Sequence, residues 1–232
     1  MSFKLAVIPA RGGSKRIPKK NLKDFYGRPI IANSILACLG SGIFDDVVVS
    51  TDDEEIAEIS RSFGAKTPFM RPAELSDDYT PTVPVIKHAI ETMQELRGQT
   101  AEVVCCLYAI APFVTAQMLQ EAHQLFQSEK PKGFVCAATE FSFPPQRGFT
   151  LSDGGMKIFE EGAYWKRSQD LEKVYHEAGT FWFGSPKAYL DELPFVSEIS
   201  VPYMIPNYLV QDIDTLEDWA RAELLFELLQ GR

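Results

Sequence analysis

Short, unbroken apolar runs alternate along this chain with longer stretches whose apolar residues recur every three or four positions. Runs of the first kind fall at 5–8 (Leu5-Ala6-Val7-Ile8), 46–50 (around Val47-Val48-Val49), 103–108 and 133–138, and they predict strands. Stretches of the second kind predict helices: 29–39 with Ile30, Ile31, Ile35, Leu36 and Leu39, and 53–63 with Ile56, Ala57, Ile59 and Phe63. Further helices are expected at 84–96 (Val85, Ala89, Ile90, Met93, Leu96), 116–126 and 215–229. Terminal residues agree with these bounds. Gly64 suits the position just past a helix end, Pro84 suits a first turn, and Thr215 with Asp218 forms a capping-box variant. Strands and helices in alternation, with strands apolar throughout, imply a mostly parallel sheet covered on both faces. Ligands of such sheets sit beyond the carboxyl ends of the strands. No internal repeat and no low-complexity segment interrupts the pattern.

One stretch departs from the alternation. Residues 141–171 are rich in Gly, Pro, aromatic and charged residues, and Ser152-Asp153-Gly154-Gly155, between Phe149 and Ile158, reads as a hairpin turn. An excursion of this length is a lid or an oligomer arm rather than core. With it as an insertion, residues 1–232 are read as one domain.

Composition narrows the class. The apolar share of 45% supplies a full core, while 23 Lys and Arg stand against 32 Asp and Glu, a formal net charge of -9. An acidic chain of this kind lacks the extended basic face that nucleic-acid binding demands. No apolar run is long enough to span a membrane, and the N-terminal stretch is too short for a signal peptide, so a cytoplasmic protein is expected. Cys38, Cys105, Cys106 and Cys136 show no C-x-x-C spacing. Adjacent Cys105 and Cys106 suit a reduced compartment and a buried strand better than a disulfide or zinc site.

Against that acidic background the loop after the first strand stands out. Arg11, Lys15, Arg16, Lys19, Lys20 and Lys23 fall within thirteen residues with no acid among them, beside Gly12 and Gly13. Cations and bare backbone N–H groups at a strand's carboxyl end suit a polyphosphate. The spacing excludes two common forms of such a loop. A P-loop needs a glycine upstream that is absent here, and a dinucleotide fingerprint needs a third glycine, whereas none follows Gly13 until Gly27. What remains is a loop suited to the full charge of a nucleoside triphosphate.

The run Ile8-Pro9-Ala10-Arg11-Gly12-Gly13-Ser14-Lys15-Arg16-Ile17-Pro18-Lys19-Lys20-Asn21 resembles the signature of the CMP-sialate synthetase family, cytidylyltransferases that activate acidic sugars. The likeness continues at Val48-Val49-Ser50-Thr51-Asp52, at Arg71-Pro72-Ala73-Glu74-Leu75 and at Asp212-Ile213-Asp214-Thr215. Within the family, Leu107-Tyr108-Ala109-Ile110-Ala111-Pro112-Phe113, Arg167-Ser168-Gln169-Asp170-Leu171 and Tyr175-His176-Glu177-Ala178-Gly179 look most like the branch that acts on pseudaminic acid. Sialate enzymes carry L-Q-P-T-S-P at the first of these places and an F-R-P-N-G-like stretch at the last.

The resemblance implies an α/β, three-layer, Rossmann-like nucleotide-diphospho-sugar transferase fold with a protruding dimerisation arm. It implies transfer of CMP from CTP to an acidic nine-carbon sugar, with pyrophosphate released, by a homodimer. Arg11, Lys15 and Lys20 would neutralise the phosphates, Gly12, Gly13 and Ser14 would offer N–H groups, and Asn21 a hydrogen bond. Arg71 and Thr82 match positions that contact the cytosine. Asp212 and Asp214 alternate on an extended segment, so both carboxylates face one side. Paired carboxylates suit Mg²⁺, which keeps room for substrate oxygens. Tyr108, Arg167, Gln169 and His176 are the candidates for the sugar, Arg167 because it can grip a carboxylate with two parallel N–H bonds. His88 and His123 fall on helical patterns and are expected to be ordinary, partly exposed histidines. Two other readings stay open: the same chemistry on legionaminic, sialic or keto-deoxyoctonic acid, and a nucleotide-binding regulator without turnover.

Overall fold

The computed structural model describes residues 2–231; Met1 and Arg232, the outermost residues of the single domain read from the sequence, lie outside the described residues. In chain order the elements are β1 (Ser2–Pro9), α1 (Ile31–Ser41), β2 (Asp46–Ser50), α2 (Glu54–Ser62), α3 (Thr82–Arg97), β3 (Thr100–Leu107), α4 (Ala116–Glu129) and β4 (Phe134–Glu140). Then follow β5 (Phe149–Ser152), β6 (Gly155–Ile158), α5 (Glu161–Tyr164), β7 (Tyr175–Gly184), α6 (Pro186–Leu190), β8 (Val201–Met204) and α7 (Leu216–Gln230). The main sheet has the order β2-β1-β3-β7-β4-β8. β1 pairs in parallel with β2 and β3, and β4 with β8; β7 runs antiparallel between β3 and β4.

Strands apolar on both faces make this a three-layer structure. On β1, Ala6 and Ile8 face α1 and α4 with Ile31, Ile35 and Leu119, while Leu5 and Val7 face α3 and α6 with Ile86, Ile90 and Tyr189. The four cysteines are free and buried. His123 corrects the expectation of partial exposure: α4 lies flat on the sheet, so its ring is buried against Phe183 and burial lowers its pKa. Two strands were not expected from the apolar pattern. β7 opens with the polar Tyr175-His176-Glu177 and is kinked where Gly179 takes φ +61°, with a register shift against β4. β8 is four residues long, carries Pro202 and lies at the sheet edge, where the missing N–H is tolerated.

A third apolar cluster positions the functional segments. Ile17, from the middle of the cationic loop, and Ile213, from between the two aspartates, are both buried with Phe25, Phe113 and Trp219 of α7. Burying one such side chain contributes about 1.5–3 kcal/mol, enough to pin each segment. With Ile213 turned inward, its neighbours Asp212 and Asp214 turn outward. α7 is capped as the sequence suggests: the Thr215 hydroxyl accepts from the Asp218 N–H, and the Asp218 carboxylate accepts from the Thr215 N–H.

Between β4 and β7 the chain makes the expected excursion. It leaves and rejoins the sheet where the Phe141 N–H donates to the Val174 carbonyl. β5 and β6 form a hairpin whose turn has Gly154 at φ +90°. The excursion is tied mainly to itself, through Arg147 to the Ser168 hydroxyl and Gln146 to the Glu172 carbonyl. Its apolar residues face outward: Phe143 and Leu151 are each 84% exposed and Trp165 83%.

Candidate active site

The cationic loop leaves the carboxyl end of β1, and the acid pair approaches it from the start of α7. Between them lies a cleft of about 720 Å³, lined by Arg11, Ser14, Lys15, Arg16, Lys20, Asn21, Thr82, Tyr108, Gly179 and Asp212 among others. Each loop cation has a defined partner. Lys20 donates to the Ile213 carbonyl at 2.6 Å and lies 3.3 Å from Asp214, whose other oxygen holds Arg16 at 2.8 Å. Lys19, in the left-handed region at φ 50°, turns away from the cleft to Glu55 on α2. Asn21 donates to the Arg11 carbonyl at 2.9 Å, which braces the loop across its own width.

Gly12 marks a close approach. A Cβ on Gly12 would stand 2.6 Å from a carboxylate oxygen of Asp53, the residue whose side chain caps α2. The Gly12 N–H already donates to Asp52 at 3.0 Å and the Ser14 N–H to the Gly12 carbonyl at 2.9 Å, while the Gly13 amide has no partner among the described residues.

Thr82 and Tyr108 meet across the cleft floor, their oxygens 3.2 Å apart, and burial raises the Tyr108 phenol so that it stays protonated. Asp212 lines the cleft as an exposed residue whose carboxyl is partly screened from solvent. Burial, then the charge of Asp214, raises its carboxyl above the ordinary value. Among the described residues its carboxylate accepts no hydrogen bond and forms no ion pair, although it lines the cleft. A pair of adjacent carboxylates, one with unused lone pairs, fits a hard divalent cation that also binds substrate oxygens. Among the described residues no group of three or more His, Cys, Asp or Glu is preassembled for a metal.

Four expected site residues lie outside this cleft. Arg71 is 7% exposed; its guanidinium donates to the Ser50 hydroxyl and carbonyl at the end of β2. Burial, with Arg11 nearby, lowers its pKa to about 10. Arg167 is exposed and bidentate to Asp170, and Gln169 lines a separate hollow at the base of the excursion. His176 packs against Phe141 with the rings tilted by 53°, and with Glu177 it lines a separate small pocket. Glu177 itself, half-buried, accepts the Gly179 N–H at 3.0 Å and was not singled out from the sequence. Asp78 was missed as well: it lines the cleft against Arg11 and Lys15. Nothing in the string Ser76-Asp77-Asp78-Tyr79 separates an inward acid from an outward one.

A triphosphate-sized cationic cleft at the carboxyl edge of a mostly parallel sheet, faced by a carboxylate pair, defines a nucleotide-activating transferase. Comparison with known proteins agrees. A family model described as Cytidylyltransferase matches residues 5–190. The chain is 48% identical over 225 residues to a pseudaminic acid cytidylyltransferase of Campylobacter jejuni, covering 97% of this chain and 96% of that one. It is 30% identical to a CMP-N,N'-diacetyllegionaminic acid synthase of Legionella pneumophila, with 97% of each chain covered. Among solved structures, a CMP:2-keto-3-deoxy-manno-octonic acid synthetase complexed with CTP shares the fold, with a TM-score of 0.71 at 16% identity over 98% of this chain and 99% of that one. The chain belongs to the cytidylyltransferase family and is a nucleotidyltransferase.

Proposed function

We propose that this protein transfers CMP from CTP to the anomeric hydroxyl of pseudaminic acid and releases pyrophosphate. The observation that carries the reading is the near full-length 48% identity to the Campylobacter jejuni enzyme. The weaker likeness to the legionaminic acid enzyme makes that sugar the next to test.

The chemistry is an in-line displacement at the α-phosphorus, in which positioning and charge supply most of the rate. Arg11, Lys15 and Lys20 hold the phosphate oxygens as negative charge moves onto the departing pyrophosphate. Gly12, Gly13 and Ser14 bring backbone N–H groups close, with Asn21 fixing the loop that carries them. Thr82 hydrogen-bonds toward the nucleotide, and Arg71 holds the floor of the base side through the end of β2. Asp212 and Asp214 hold Mg²⁺, which when bound supplies Lewis-acid polarisation of the α-phosphate and a lowered pKa for the attacking hydroxyl. Tyr108, which lines the cleft, serves the sugar from the same chain.

Arg167 and Gln169 reach a sugar from the excursion of a second copy. The outward apolar residues of the hairpin and its flanks, Phe149, Leu151, Met156, Phe159 and Trp165, are what such a two-fold partner would cover. Work on CTP places the enzyme in the cytoplasm. Among the described residues no helix is long and apolar enough to cross a membrane.

The test is pyrophosphate release with CTP, Mg²⁺ and pseudaminic acid supplied singly and together. Release only from the complete mixture supports the reading, and release without the sugar overturns it.

A further inference from the structure

In the cleft, the cations that would grip a triphosphate already hold an anion. Arg11 Nη1 donates to one carboxylate oxygen of Asp78 at 2.5 Å and to the Asp77 carbonyl at 2.8 Å. Lys15 pairs with the other Asp78 oxygen. These contacts hold the Asp78 carboxyl below its ordinary value, Lys15 first and Arg11 second. Asp78 lines the same cavity as both cations.

Its neighbour explains why it points inward. The Asp77 carboxylate accepts from the Tyr79 and Thr80 N–H groups at 2.9 and 2.7 Å and from the Thr80 hydroxyl at 2.7 Å. This is an Asx turn that spends the first acid on the backbone and leaves the second free to face the loop. Among the described residues no backbone carbonyl accepts from an N–H of residues 77–80, so side chains tie the turn down. The turn leads directly into α3 at Thr82, itself a cleft residue.

The opposite wall differs. Asp214 also neutralises two cations, Arg16 and Lys20, but beside it stands Asp212, and a divalent ion can draw both carboxylates away. Asp78 has no such alternative, because Asp77 is committed to its turn. Only a ligand with more adjacent negative charge than one carboxylate can take Arg11 and Lys15 from it.

We propose that Asp78 is a resident anion in the polyphosphate seat: it keeps Arg11 and Lys15 oriented in the empty enzyme, gives way to the triphosphate of CTP, and returns to help expel pyrophosphate. The inference rests on reading this cleft as the CTP site. Asp78 is thus a positioning residue whose removal tightens the binding of pyrophosphate, the reverse of what removing a substrate contact does.

The test is calorimetric titration of the full-length protein with inorganic pyrophosphate in the presence of a chelator, together with pyrophosphate inhibition of initial rates. Asp78→Asn should bind pyrophosphate about threefold to thirtyfold more tightly, the scale of two partly exposed ion pairs. Its KM for CTP should fall, and pyrophosphate should inhibit it more strongly. Asp78→Glu should restore wild-type behaviour. Asp78→Ser gives the same reading should the Asn variant fold poorly. Unchanged or weaker pyrophosphate binding in folded Asp78→Asn overturns the proposal. A parallel Lys20→Ala titration separates the two possible failures. If Lys20→Ala weakens pyrophosphate binding while Asp78→Asn leaves it unchanged, Asp78 is refuted and the nucleotide site stands. If the wild type binds no pyrophosphate, both fall.

Discussion

Replacing Lys20 by alanine probes the junction between the cationic loop and the acid pair. Lys20 is the least exposed of the paired loop cations, at 20%, and it bonds to the Ile213 carbonyl at 2.6 Å while facing Asp214 at 3.3 Å. Its removal has two separable effects. The lost hydrogen bond to a carbonyl costs about 1–3 kcal/mol of stability. At about 2–4 °C per kcal/mol for a chain of this size, the melting temperature should fall by a few degrees and the protein should remain folded. Arg16 stays on Asp214 at 2.8 Å, so the acid pair is not left wholly unneutralised. The rate should suffer far more. Lys20 is placed to meet charge that develops on the leaving pyrophosphate, and loss of one preorganised donor costs about 10²–10³ in kcat. A continuous pyrophosphate-release assay with saturating CTP, Mg²⁺ and sugar reads kcat, and thermal unfolding reads stability. Near wild-type turnover in the folded variant would refute the assignment of the loop to the phosphates. A large loss of Tm with activity per folded molecule retained would make Lys20 a structural residue.

Asp212→Asn and Asp214→Asn should each raise the Mg²⁺ concentration needed for half activity by more than the roughly tenfold that loss of an outer partner costs. An unchanged Mg²⁺ titration in both variants would remove the pair from the metal site. Phe149→Asp with Phe159→Asp, at positions 52% and 72% exposed, should dissociate the dimer and raise KM for the sugar more than for CTP. Light scattering that shows a fully active wild-type monomer would end that idea. Burial, and then the charge of Asp212, raises the Glu177 carboxyl above 4.5, so the folded state holds this proton to higher pH than the unfolded chain does. The stability it contributes is complete below 4.5 and is lost as pH rises through the folded value. Glu177→Gln should therefore melt higher than wild type above neutrality and equal it in acid; equal melting at both ends would show that Glu177 is not strained by its surroundings.

The parallel half of the fold was legible because burial on both faces forces a continuous apolar strand, and β1, β2, β3 and β4 fall where those runs predict. β7 was not. Its Phe181-Trp182-Phe183 core is apolar, but the strand begins with the largely exposed Tyr175-His176-Glu177, and Gly179 breaks its period. The loop and the acid pair could be read because charge and alternation are local in sequence. What brings them together could not: it is the burial of Ile17 and Ile213 against Trp219, a tertiary event. The inward turn of Asp78 and the burial of Arg71 depend likewise on neighbours far along the chain. The distance of Arg167 and Gln169 from the cleft follows from the excursion standing out from the sheet whose edge forms the cleft.

The central claim is the identity of the acceptor. Pseudaminic, N,N'-diacetyllegionaminic, sialic and 2-keto-3-deoxy-octonic acids, each supplied with CTP and Mg²⁺, should be compared by kcat/KM for pyrophosphate release. Pseudaminic acid should lead by about a hundredfold or more, the scale that misplaced polar substituents produce. Equal or better turnover of any other sugar would contradict the account.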